Sequence, residues 1–376
     1  MIYIITMLFS ALISLLIRQR KGNAIGLKIT ICKREVVRHL IIFLSAITPL
    51  LVSALRYGIG TDYFYTYIPQ FNKIINGERN YYEIGFYYFN KFIGIFTSNG
   101  HAVIIITSII FIGIVYREIY RYSRQYWLSI ILFYLSFVYF ISLNNIRQSM
   151  ASALLLIAIE LLIQKKRIGF AFCVLIATSI HQIAVLFLLA LAIEKICVSA
   201  MTYTVITIGF WCTCKFIMPI VLSTLINYVP RLKLYFVADE MKIYNEKTIG
   251  RLLIIIQFII MLYLDYIEFT YKPDKDNAHI ADKREWNIIK LNQFLLVCVY
   301  AVDGIVPAAY RIARVFSFSQ FIFIPNVIFK YEKHRKRRWL QVLLTISLFG
   351  ILFVKNIHSG AEEVFPYRSI FDFTLE

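Results

Sequence analysis

Apolar runs close to a bilayer's thickness recur along the whole of this chain, and that pattern leaves few folds open. A bilayer core about 30 Å thick takes about 20 apolar residues per helix. Within it each backbone N–H and C=O must be satisfied by the protein itself, which makes helices the natural spanning element for runs of this length. The runs fall near 2–17, 39–55, 102–116, 127–143, 146–163, 168–180, 182–196, 201–224, 249–267, 288–305, 312–329 and 339–354. The chain therefore reads as all-α, a polytopic membrane helix bundle of about 12 transmembrane helices. With no internal repeat, low-complexity linker or soluble insertion, 1–376 reads as a single integral membrane domain.

Composition supports this and excludes other classes. The chain is 59% hydrophobic and only 16% charged, too little charge for a soluble protein of this size. Its net charge of +18 raises nucleic acid as a partner. The basic residues instead gather in short loops, as at Arg18, Arg20 and Lys21, at Lys165, Lys166 and Arg167, and from Arg335 to Arg338. Such loops mark the cytoplasmic side, where they also meet anionic membrane lipids, so no nucleic-acid partner is expected. Five of the six cysteines lie inside or at the edge of apolar runs as packing residues, and Cys212 with Cys214 lacks zinc spacing. Segment 2–17 has neither a basic head nor a small-residue cleavage site, and reads as the first span rather than a signal peptide.

Charge also sets the orientation. With the N-terminus outside, loops 18–38, 117–126, 164–167, 194–200, 268–287 and 330–338 face the cytoplasm and hold most of the Lys and Arg. Both termini then lie outside. Three outer regions exceed plain connectors: 56–101, 227–248 and the tail 355–376. The first carries an aromatic stretch, Tyr81 to Phe89, too short to span and read as an amphipathic or re-entrant segment.

Ionisable groups at membrane depth are costly and mark function. Arg56, Arg147, His181, Arg311 and Arg314 all sit at outer helix ends, against the positive-inside trend. Asn144 or Asn145 would cap the helix that opens with Arg147 and Gln148. A guanidinium in that first turn suits an anion shared with the helix N-terminus; snorkelling to lipid phosphate is the structural alternative. His181 separates two apolar runs and is the best general-base candidate; a hydrogen-bonded structural histidine is the other reading. Gly58 and Gly60 let the chain turn between Arg56 and Asp62, and Arg56 has Asp62 or Glu83 as possible ion-pair partners. Arg311 and Arg314 share one helical face, fit for a diphosphate. Tyr63, Tyr65, Tyr81 and Tyr82 fit either an interfacial belt or stacking on sugars. No metal site and no cofactor is expected, since outer His, Asp and Glu lack ligand spacing.

The ordered set from Arg56 to Tyr63, then Glu83 to Phe86, then Asn145 to Gln148, then His181, resembles the EpsG family of exopolysaccharide, capsule and O-antigen synthesis, related in role to the Wzy polymerases. The resemblance runs from about 50 to 196; Arg311, Arg314, Pro366 and Tyr367 fit more loosely, and Gln182 departs from the family's usual neighbour of the histidine. It implies a metal-independent glycosyltransferase of the bacterial inner membrane that joins undecaprenyl-diphosphate-linked repeat units at the outer face. Donor and acceptor would both be lipid-linked oligosaccharides, with a flippase and a chain-length regulator as protein partners. Catalytic roles fall to His181, Asp62 and Glu83, and substrate binding to Arg56, Arg147, Gln148, Arg311, Arg314 and Tyr63. A lipid-linked oligosaccharide flippase, an O-antigen ligase and a membrane O-acyltransferase are the competing readings. Mid-membrane charge would mark the flippase, and a cytoplasm-facing histidine the acyltransferase.

Overall fold

The computed structural model describes residues 1–17, 35–78, 80–193, 198–228, 250–271, 280–303, 306 and 309–372. Most of segment 227–248 and of loop 18–38 lies outside these residues, as do parts of loops 194–200 and 268–287. Among the described residues the chain is helical, with no strand. Among the described residues six helices are long and apolar enough to cross a membrane, or up to eight if each of two broken pairs is one span. The chain is a multi-pass membrane protein. The dozen apolar runs exceed this number because several are interrupted or short. Run 127–143 breaks into α6 (Tyr126–Leu135) and α7 (Val138–Asn144), bent by 52°. Phe137 between them takes a left-handed φ of 69° that no helix continues through. Run 168–180 forms α9 (Arg167–Ile180), and run 182–196 forms a 3₁₀ turn (Gln182–Phe187) and α10 (Leu188–Ile193), each short for a span.

The chain divides into two compact units, one of Met1–Ile157, Phe172–Ala184 and Ser319–Glu376, the other of Ala158–Ala171 and Val185–Phe318. In the first, α1 (Ile2–Ser14), α2 (Glu35–Ala54) and α5 (His101–Tyr122) pack together. Hydroxyls tie them where no water can compete: Ser10 to Tyr116 and Ser45 to Tyr120, each at 2.6 Å. Also in this unit, α15 (Gln320–Tyr331) and α16 (Arg335–His358) pack on α6.

The segment between α2 and α5 folds back onto this frame. After Ala54 the chain enters a π-helical turn (Tyr63–Tyr67), then α3 (Ile68–Ile75) and α4 (Ile84–Gly94). At about 1.5 Å per residue neither helix spans a bilayer. Tyr67, Phe71 and Phe86 form the centre of a buried cluster with Val103 and Ile104 of α5 and Ile146 of α8 (Ile146–Ile163). Burying Phe71 and Phe86 fully contributes about 2–3 kcal/mol each as an upper figure. The other edge of α4 leaves Ile84, Tyr88 and Phe92 exposed, an apolar face suited to lipid.

The tail closes the unit. Tyr57 N–H donates to Arg368 C=O at 3.0 Å and Ile370 N–H to Leu55 C=O at 2.9 Å, a single antiparallel bridge between Arg56 and Ser369. Tyr3 anchors it from α1, donating to Val364 C=O at 2.9 Å with its ring against Phe140 and Phe365.

In the second unit, α11 (Ala200–Tyr228), α12 (Arg251–Tyr271), α13 (Ile280–Ala301) and α14 (Ala309–Ser317) pack around satisfied polar groups. Lys290, 2% exposed, pairs with Glu268 at 2.5 Å and donates to Val198 C=O at 2.9 Å. Glu268 also accepts the Trp286 indole at 3.1 Å and the Ala200 N–H that opens α11. Gln293 donates to the Gln257 carbonyl at 2.8 Å, and Asn292 to that of Phe316 at 2.5 Å.

Tyr3→Phe removes the tail's hydrogen bond while keeping the ring. Trypsin should then cut the exposed Arg368 several-fold faster than in wild type, read by mass spectrometry. An unchanged rate would mean that this hydrogen bond does not hold the tail.

Candidate functional site

Three segments of the first unit meet at one carboxylate. Glu83 precedes α4 in extended backbone (φ −62°, ψ 151°), which aims its side chain away from the helix it starts. Arg147 lies in the first turn of α8, and His181 just past the end of α9. Arg147 Nη1 donates to Glu83 Oε2 at 2.6 Å. On the other oxygen, Oε1, His181 Nδ1 stands at 3.3 Å and the Gln182 N–H at 3.4 Å. His181 Nδ1 is off the line of a well-formed hydrogen bond, and Nε2 is buried with no partner among the described residues. The site is partly sheltered: Arg147, His181 and Glu83 side chains are 20%, 11% and 18% exposed.

The fold permits this meeting through small residues. A Cβ on Gly85 would stand 2.2 Å from Ser179 Oγ and 2.9 Å from the Ser179 carbonyl carbon, so only glycine lets α4 approach α9 this closely. Gly60 does the same for the loop before the π turn: its φ is +81° and a Cβ would meet Asn144 at 2.8 Å. Arg147 rests on two aromatic rings, 4.8 Å from the Tyr82 centroid and 5.8 Å from Tyr81, which direct the guanidinium toward Glu83.

The cap on α8 differs from the expected one. Tyr67, not Asn144 or Asn145, satisfies the Ile146 N–H, at 2.9 Å. Both asparagine amides donate instead to one tail carboxylate oxygen, Glu362 Oε2, at 2.8 and 2.5 Å. Asn144 Oδ1 in turn accepts the Asp62 N–H at 3.0 Å. Glu362 thus ties the start of α8 to the loop carrying Asp62. Sequence reasoning missed Glu362, because nothing local to an acidic tail residue signals a partner more than 200 positions away.

Burial works against the charge on Glu83, but the contacts of His181 and Arg147 with its oxygens outweigh it. The carboxyl falls from 4.5 to about 2 and is a carboxylate at neutral pH. Asp62 accepts the Thr66 hydroxyl at 3.3 Å and acts electrostatically on Tyr67 and Tyr82, beside the cluster. Tyr63 is turned inward, bonded to His101 Nδ1 at 2.8 Å, while His101 Nε2–H donates to Ala54 C=O at 3.1 Å. Gln148 is buried at 4%. Arg56 is 1% exposed and pairs with neither Asp62 nor Glu83. In the second unit Arg311 and Arg314 lie over one ring, Tyr310, at 5.8 and 5.2 Å. Among the described residues no three His, Cys, Asp or Glu side chains gather as a metal site requires.

The sequence model of the EpsG family matches residues 39–369. The chain belongs to the EpsG family. The match takes in every element of the Glu83 cluster and reaches Glu362 in the tail, well past the 50–196 region where the motifs are most evident. No curated protein and no solved structure matches this EpsG-family chain.

Gly85→Ala forces α4 and α9 apart and should destabilise the purified protein by about 1–3 kcal/mol, whereas Gly113→Ala, with nothing within 4 Å, should be neutral. Equal thermal midpoints for the two variants would contradict the close approach. Glu83 is depressed in the folded state, so the stability it contributes is complete above about pH 4.5 and lost as pH falls to about 2. The gap in thermal midpoint between wild type and Glu83→Gln should therefore be full at neutral pH and close across that window. A gap independent of pH would deny Glu83 its paired, ionised state.

Proposed function

We propose that this protein joins undecaprenyl-diphosphate-linked oligosaccharide repeat units by glycosyl transfer at the outer face of the bacterial inner membrane. Family membership supports a polysaccharide-polymerase role. The observation that carries the chemistry is the single carboxylate shared by an arginine and a histidine. The basic turn Lys165 to Arg167 joins the far ends of α8 and α9, so the positive-inside trend supports an outer location for Arg147 and His181. Both chain termini would then lie outside, and a flippase would deliver the repeat units whose joining a chain-length regulator limits.

In this reading Arg147 exchanges part of its pairing with Glu83 for the diphosphate of the growing chain, a charge-assisted contact. Glu83 stays ionised beside Nδ1 of His181, at 3.3 Å, which leaves Nε2 for the acceptor. The acceptor hydroxyl of an incoming repeat unit attacks the donor's anomeric carbon as its proton passes to Nε2. The new C–O bond forms as the bond to diphosphate breaks, inverting that carbon. Undecaprenyl diphosphate leaves with its charge against Arg147. Glu83, at about 2, is too weak a base for this proton, which favours His181. Asp62, beside the cluster, would orient sugar hydroxyls. Arg311 and Arg314, stacked on Tyr310, form a second basic group suited to phosphate within their own unit.

A deletion strain complemented with variants tests this on a gel resolving single repeat units. His181→Ala should lower polymer formation about 100-fold or more, and Arg147→Ala by a similar factor. The ladder should vanish while one repeat unit still reaches its final acceptor. Loss of every surface unit, with lipid-linked repeats trapped inside the cell, would make the protein a flippase.

A further inference from the structure

Arg56 is a buried cation without a counter-ion. It is 1% exposed, and its partners are all neutral: Leu143 C=O from Nε at 3.1 Å, and Ser53 C=O, Ser53 Oγ and Ser108 Oγ from Nη1. Its Nη2 donors meet no acceptor among the described residues. Arginine keeps its charge when buried, and a charge left uncompensated in a low-dielectric interior is strongly unfavourable. Arg56 borders a small cavity where α2, α5, α7 and α8 converge, lined also by Thr107, Phe111, Ser142 and Met150. Ser149 of α8 borders it too; this residue is 2% exposed and its hydroxyl has no partner. The remaining hydroxyls are committed: Ser53 donates to Ser108, Ser108 to Ile104 C=O, Thr107 to Val103 C=O and Ser142 to Tyr139 C=O. The donors free to act in the cavity are therefore Arg56 Nη2 and the Ser149 hydroxyl.

We propose that Arg56 and Ser149 hold one halide-sized anion, chloride under ordinary conditions, in this cavity. The space takes about one solvent-sized sphere, too little for a phosphate or a sugar. A water molecule fits the volume but leaves the positive charge uncancelled; a halide cancels it, accepts from both donors and tolerates the rings and methyls of Phe111 and Met150. The anion neutralises the joint from which α8 carries Arg147, so it sets the stability of the frame and takes no part in the proposed glycosyl transfer.

The test is the thermal midpoint of the purified full-length protein, titrated with sodium chloride or bromide against sodium gluconate at constant ionic strength. The midpoint should rise saturably with either halide and not with gluconate. Ser149→Ala, which removes only a hydroxyl within a helix, should fold and raise the half-saturating chloride about tenfold or more. Crystals soaked in bromide should show anomalous density between Arg56 and Ser149. No halide dependence would overturn the site. So would a dependence unchanged in Ser149→Ala, or a water without bromide at that position.

Discussion

One carboxylate sets how three segments of the first unit meet. Arg147 lies in the first turn of α8, at the positive end of the helix dipole, an unfavourable place for a guanidinium. Glu83 compensates both the dipole and Arg147, and its second oxygen faces His181. Breaking a partly sheltered pair by removing one partner strands the other charge, so neither residue is independently replaceable. The same arrangement keeps Glu83 ionised and a histidine nitrogen unoccupied, the two conditions the proposed proton transfer needs.

The surrounding fold holds three backbone segments close enough to share that carboxylate. Gly85 lets α4 lie against α9, Tyr67 satisfies the start of α8, and Tyr82 underlies Arg147. Glu362 then locks Asn144 and Asn145 from the tail, and Asn144 passes the constraint to Asp62. The hydrogen bonds of Tyr67, Glu362 and Asn144 each satisfy a buried or half-buried polar group, so loss of one leaves an unpaired partner rather than a neutral gap.

Much of this was legible in the residues, for identifiable reasons. Apolar run length reveals helices, and motif order reveals the family, because both are local properties of the chain. His181 at a helix break and Arg147 in a first turn followed from spacing alone. The number of spans was less legible, because a left-handed Phe137 or a 3₁₀ turn after His181 breaks a helix without changing hydropathy. Arg56 and Tyr63 have the composition of site residues, yet the fold turns both inward, and only packing decides which way a side chain at a loop start faces. Glu362 was invisible for the opposite reason: its partners are distant in sequence and its neighbours carry no pattern.

The central claim is glycosyl transfer dependent on the Glu83-linked histidine and arginine, and the most direct measurement uses the purified protein in lipid vesicles. Supplied with synthetic lipid-diphosphate repeat units on one face, wild type should release one lipid diphosphate for each new linkage formed. His181→Ala should still bind the donor but release almost none. Movement of intact lipid-linked units across the vesicle membrane, without release of lipid diphosphate, would contradict the account.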